Sequence, residues 1–164
     1  MALHQQTETA NPNTSVRLYL TLLLVQTIGV VLIFWFAFPI YRRLLLVPGQ
    51  QLPIVTEAPL GIVLAVALAQ IAYWYRYRRV PVAVHWHNVV LSHVVAFLGR
   101  LSFIFGGALF SLVFFRHLPV AHIVNGWVVG GRVTGLIVML FALYCYAQEL
   151  DRLGTALNPP AKTK

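Results

Sequence analysis

Four long apolar runs, each closed by aromatic and basic residues, alternate with short polar stretches along the chain. Residues 1–16 are polar, include Asn11, Pro12 and Asn13, and read as a flexible tail. They do not read as a signal peptide, because no basic segment precedes the first apolar run and that run is too long. It covers residues 19–40, and 22 helical residues reach about 33 Å, enough to cross the hydrocarbon of a bilayer. Phe34, Trp35, Phe36, Phe38 and Tyr41 form an aromatic belt at its far end, followed by Arg42 and Arg43. Pro48, Gly49 and Pro53 mark a loop in the membrane interface. A second run, 57–77, opens at Thr56-Glu57-Ala58-Pro59, where Thr caps, Glu suits the first turn and Pro is tolerated. Its far end, Tyr73-Trp74-Tyr75-Arg76-Tyr77-Arg78-Arg79, has the composition of a water interface. The third run, 89–115, follows an interfacial lead-in (81–88) and is long enough to tilt. It closes at Arg116, His117 and Pro119. The fourth covers 120–146, and a polar tail occupies 151–164. No period of 20–50 residues recurs, so this is not a repeat protein.

The composition fixes the solvent. The 164 residues are 59% hydrophobic and 10% charged, where soluble domains run near 25% charged, and the mean hydropathy is +0.77. These values exclude an ordinary soluble enzyme, a disordered chain and a disulfide scaffold. The fold class they imply is an all-α integral membrane protein: a four-helix transmembrane bundle, 17–150, with short loops. The net charge of +8 would suggest nucleic acid in a soluble chain. Here the basic residues flank apolar runs, so they point to lipid headgroups and not to nucleic acid. Cys145, the single cysteine, permits no internal disulfide and no cysteine-based metal site.

Basic residues also orient the bundle. Arg17, Arg76, Arg78, Arg79, Arg152, Lys162 and Lys164 flank one side, while Arg42, Arg43 and Arg116 flank the other. Seven against three places both termini in the cytoplasm, and size and topology suggest a bacterial inner membrane, with an organelle membrane left open.

Arg100 and Arg132 fall near the middle of the third and fourth runs, where a charge is expensive. The acids beyond the N-terminal tail are placed elsewhere: Glu57 at the outer end of the second run, Glu149 and Asp151 past the cytoplasmic end of the fourth. Neither arginine is expected to meet an acid of its own chain at its own depth. Each would then need an acid or lipid phosphate from outside, an anionic ligand, or backbone carbonyls reached by snorkelling. His93 stands seven residues before Arg100, on the same helical face, and the two are expected to make an inward polar line. Gln26 and Gln70 lie at a similar depth and complete a candidate polar cavity or interhelical hydrogen-bond cluster. The spacing of Gly126 and Gly130, of Gly131 and Gly135, and the pair Gly106 and Gly107 suggest helix packing within the chain or between copies.

The six histidines do not converge. His85-x-His87 reads as an interfacial anchor beside Trp86, with no third metal ligand nearby, and no metal site is expected. A bis-His haem within one chain would need His93 and His122 at one depth, and they are about half a membrane apart. No cofactor is therefore expected, except that haem b could sit at an interface with another subunit. No phosphate-binding glycine loop, nucleophile elbow or His-Glu-x-x-His is present, which weighs against enzyme activity. Three functions stay open. The first is a small non-catalytic subunit scaffolding a larger inner-membrane complex, such as an electron-transfer one, with lipid and other membrane subunits as partners. The others are a homo-oligomeric channel or transporter for a small anion or weak acid, and a membrane enzyme or quinone- or haem-binding protein.

Overall fold

The structure, a computed structural model, describes residues 12–46, 57–80, 87–117 and 126–158. Four helices account for nearly all of them: α1 (Pro12–Leu46), α2 (Glu57–Arg79), α3 (Val89–His117) and α4 (Gly126–Leu157). All four are long and apolar enough to cross a membrane, and no strand occurs among the described residues. The protein is an all-helical, multi-pass membrane protein. Thr56, proposed as the cap of the second run, lies outside the described residues, as do His4, His85 and His122.

The helices alternate in direction and pair as two hairpins, α1 with α2 and α3 with α4, joined mainly through α4. Small residues set both hairpins. In the first, a Cβ added at Gly29 would come within 3.0 Å of Ala69 Cβ and 3.1 Å of the Ala65 carbonyl. Along α3 the seam is Ser92, Gly99 and Gly106, all buried and seven residues apart. A Cβ on Gly99 would lie 3.0 Å from Leu150 Cβ and 3.1 Å from the Ala147 carbonyl, and one on Gly106 would run into Leu143. Ser92 Oγ donates to the Gly154 carbonyl at 2.6 Å, and Gly154 leaves no room for a side chain there. Asn88 caps α3, its Oδ1 accepting from Leu91 N at 3.1 Å, while its own N–H donates to the Leu157 carbonyl at 3.0 Å.

The core lies off-centre. One cluster joins Ile33, Ala37, Ala65, Val66, Leu109, Met139 and Ala142. Two more, centred on Leu143, Tyr146 and Leu150 and on Tyr19, Leu153 and Leu157, continue toward the end that carries Arg76. Between Gly126 and Val138 no described side chain of α4 is buried, so the bundle is open at the other end. The outside is apolar: Val90, Trp35 and Ile71 are 73%, 74% and 70% exposed. In water this would be an aggregation surface; against lipid tails it is the expected one.

Two details of the sequence reading change. The fourth helix does not end at Tyr146 but continues to Leu157, because Leu150, Leu153 and Leu157 prolong its buried stripe through the charged 147–153 segment. The aromatic belt of the first run is also divided. Trp35 and Phe38 are exposed, whereas Phe34 and Tyr41 pack on Phe105 of α3, with ring centroids 5.7 and 5.5 Å apart, and Phe36 covers Gly61 of α2. Helix α1 passes through Pro39 without ending; the residue still removes one ladder hydrogen bond there.

Candidate functional site

The most polar place in the interior is built by three helices. Tyr19 comes from the first turns of α1, Arg76 from the last turn of α2, and Glu149 from α4, two turns before its end. Arg76 is 1% exposed and Glu149 2%. Arg76 Nε lies 3.2 Å from Glu149 Oε1, an electrostatic contact along which the N–H does not point. The same carboxylate oxygen accepts from Tyr19 Oη at 2.8 Å. Arg76 Nη2 donates to Gln26 Oε1 at 2.5 Å, and the guanidinium stands over the Tyr19 ring at 5.2 Å. Charge cancels inside the cluster, as a low-dielectric setting demands. Helices α1, α2 and α4 are thus tied together at one depth. Outside it, Arg152 covers the Tyr77 ring at 4.9 Å and Arg78 the Trp74 ring at 5.8 Å, and Thr27 Oγ1 meets Tyr146 Oη at 3.2 Å.

Satisfaction is incomplete. Gln26 Nε2 and Arg76 Nη1 are buried without a hydrogen-bond acceptor. The Gln70 amide lies beside the Cys145 thiol. Of the residues singled out from sequence, Gln26 belongs to this cluster, and Gln70 stands about two turns before Arg76 on α2.

His93, Arg100 and Arg132 do not. His93 and Arg100 share a face as the spacing requires, but that face is exposed and points away from the bundle. The inward polar line is thereby corrected: Gly99, one residue before Arg100, occupies the α3–α4 seam, which turns Arg100 outward. Arg100 also has an acid of its own chain at its own depth. Its Nη2 lies 3.6 Å from Asp151 Oδ1, with both side chains exposed, because α4 runs on past Asp151. Arg132 is exposed and makes no ion pair among the described residues. It stands not mid-span but in the second turn of α4, since that helix begins at Gly126. Of the packing glycines, Gly106 is in the α3–α4 seam, while Gly107, Gly126, Gly130, Gly131 and Gly135 each face open space. Gly99 and Gly154 make the close approaches instead.

Sequence reasoning missed Arg76, Glu149 and Tyr19 as a unit. Arg76 looked like one of three flanking arginines, and Glu149 like part of a tail. A signal was present: position 76 continues the 65-69-72 stripe of alanines on α2, which 78 does not, and it lies one turn inside the end of the helix at Arg79.

Among the described residues no three His, Cys, Asp or Glu side chains come together as a metal site. Compared with models of known families, with curated proteins and with solved structures, the chain matches none.

Proposed function

We propose that this is a small non-catalytic subunit that scaffolds a larger complex in the bacterial inner membrane, with both termini cytoplasmic. One observation carries the reading: Arg132 is exposed in the first turns of α4, where no described side chain is buried. Arg132 is exposed without an acidic partner among the described residues, and Gly126, Gly130, Gly131 and Gly135 beside it have nothing within 4 Å. Glycines let another helix approach closely, and an arginine beside them favours a helix that brings a carboxylate. Arg132 stands seven residues before buried Met139, so the open face continues the core-facing side of α4. A docked partner would complete the unfilled end of the bundle. The test is Arg132→Glu in the native membrane. Loss of a polypeptide that co-purifies with the wild type in fixed ratio supports the reading; an unchanged complex contradicts the role of Arg132.

A second reading, an oligomeric channel or transporter for a small anion, rests on the unpaired donors Gln26 Nε2 and Arg76 Nη1 in the interior. Anion flux in vesicles that disappears in Arg76→Gln while the chain stays folded would favour it.

A further inference from the structure

The outer face of the α3–α4 hairpin carries a pattern that neither the buried cluster nor the Arg132 face uses. On α3 the exposed positions 93, 97, 100 and 104 and the half-buried 107 alternate in steps of four and three, the seam spacing of a coiled coil. On α4 the exposed positions 137, 141, 144, 148 and 151 do the same. The two stripes run side by side: Phe103 meets Tyr144 with ring centroids 5.8 Å apart, and Arg100 meets Asp151.

Two features of this face point to a protein occupant. Arg100 and Asp151 are 76% and 52% exposed in their side chains and 3.6 Å apart, inside apolar spans. They are flanked by exposed Phe97, Leu101 and Ile104. An ion pair fronting lipid tails is poorly satisfied. Gly107 on the same stripe has open space where a side chain would be, which permits close approach of a further helix.

The charge pattern selects the occupant. One positive and one negative group stand side by side at one depth, so the face is its own electrostatic complement. A two-fold axis along the membrane normal exchanges left and right while preserving depth. It would set α3 against the partner's α4 and Arg100 against the second copy's Asp151, twice. We propose that the chain pairs with a second copy of itself through this face, closing an Arg100–Asp151 quartet to which each copy gives one arginine and one carboxylate. The pairing stands on this face alone and is independent of any polypeptide that docks on Arg132.

Charge reversal tests it. Copies labelled with donor or acceptor dye are reconstituted into neutral phosphatidylcholine vesicles, and energy transfer between copies is followed against dilution in lipid. The wild type is expected to transfer. R100D and D151R, each alone, put like charges opposite each other and are expected to lower the paired fraction at least tenfold. Mixed one to one, they restore both opposite-charge contacts and are expected to recover transfer. G107L adds a side chain where this chain offers no contact; it is expected to block pairing while the melting temperature of the isolated chain stays unchanged, which keeps the test open if a reversal variant fails to fold. Wild-type transfer no higher than random proximity overturns the proposal. So do unimpaired single variants, or a mixture that fails to recover. A chain that stays monomeric in neutral vesicles but binds phosphatidylglycerol through Arg100 identifies a lipid as the occupant and overturns it too.

Discussion

Removing Glu149 should unlock the bundle more than any other polar substitution. In Glu149→Leu the buried Arg76 loses its carboxylate partner, and Tyr19 loses the acceptor for its hydroxyl. Breaking a buried ion pair by deleting one partner costs about 3–5 kcal/mol, because the other charge stays behind in a medium that cannot solvate it. The guanidinium here is 1% exposed, so water offers little relief. At roughly 2–4 °C per kcal/mol for a chain of this size, the expected loss is on the order of 10 °C. Arg76→Leu should cost a similar amount for the converse reason. The double variant Arg76→Leu/Glu149→Leu removes both charges, and it should melt nearer to the wild type than either single variant. The leftover cost is then the unpaired hydroxyl of Tyr19 and amide of Gln26, about 1–3 kcal/mol each. The protein supplies its own reporter: Cys145 is the only cysteine and is 4% exposed, so a thiol-reactive dye lights up as the bundle opens. Single variants that melt within about 2 °C of the wild type, or effects that simply add in the double variant, would refute the reasoning, since coupled neighbours must deviate from additivity.

Four further outcomes follow from the packing. Tyr19→Phe keeps the ring under Arg76 and loses only the 2.8 Å hydrogen bond to Glu149, so the dye assay should show about 1.5–3 kcal/mol of destabilisation. Gly99→Leu forces a side chain against the Ala147 carbonyl and should destabilise by at least about 1–3 kcal/mol by prising α3 from α4. Gly135→Ala, facing open space, should leave the melt of the isolated chain within about 0.5 kcal/mol. Asn88→Ala removes the cap of α3 and should cost about 1 kcal/mol, read as faster hydrogen exchange at Leu91.

The four spans were legible because length and hydropathy alone decide whether a helix can cross a bilayer. Their interior was legible only in part. Gln26 stood out as a polar residue in an apolar run, and it is buried. Arg100 and Arg132 stood out for the same reason, yet both are outside the core. Hydropathy measures depth along a span and says nothing of azimuth, and the azimuth of α3 is set by Ser92, Gly99 and Gly106. Glu149 escaped because charges at 149, 151 and 152 resemble a tail. Only the continued spacing of Leu150, Leu153 and Leu157 shows that the helix and its buried face persist. The glycines misled for a related reason. A four-residue spacing reports that a helix can be approached closely, not by what, and on α4 the tight glycine is Gly154, opposite Ser92 and Ala96 of α3.

The scaffold-subunit account is tested most directly by the mass of the native particle released from its own membrane. One chain weighs 18.4 kDa. The account predicts a particle with at least one other polypeptide in fixed ratio, lost on Arg132→Glu, whose carboxylate crosslinks to the first turns of α4. A mass that is an integer multiple of this chain plus lipid, unchanged in that variant, would contradict it and leave transport as the reading to pursue.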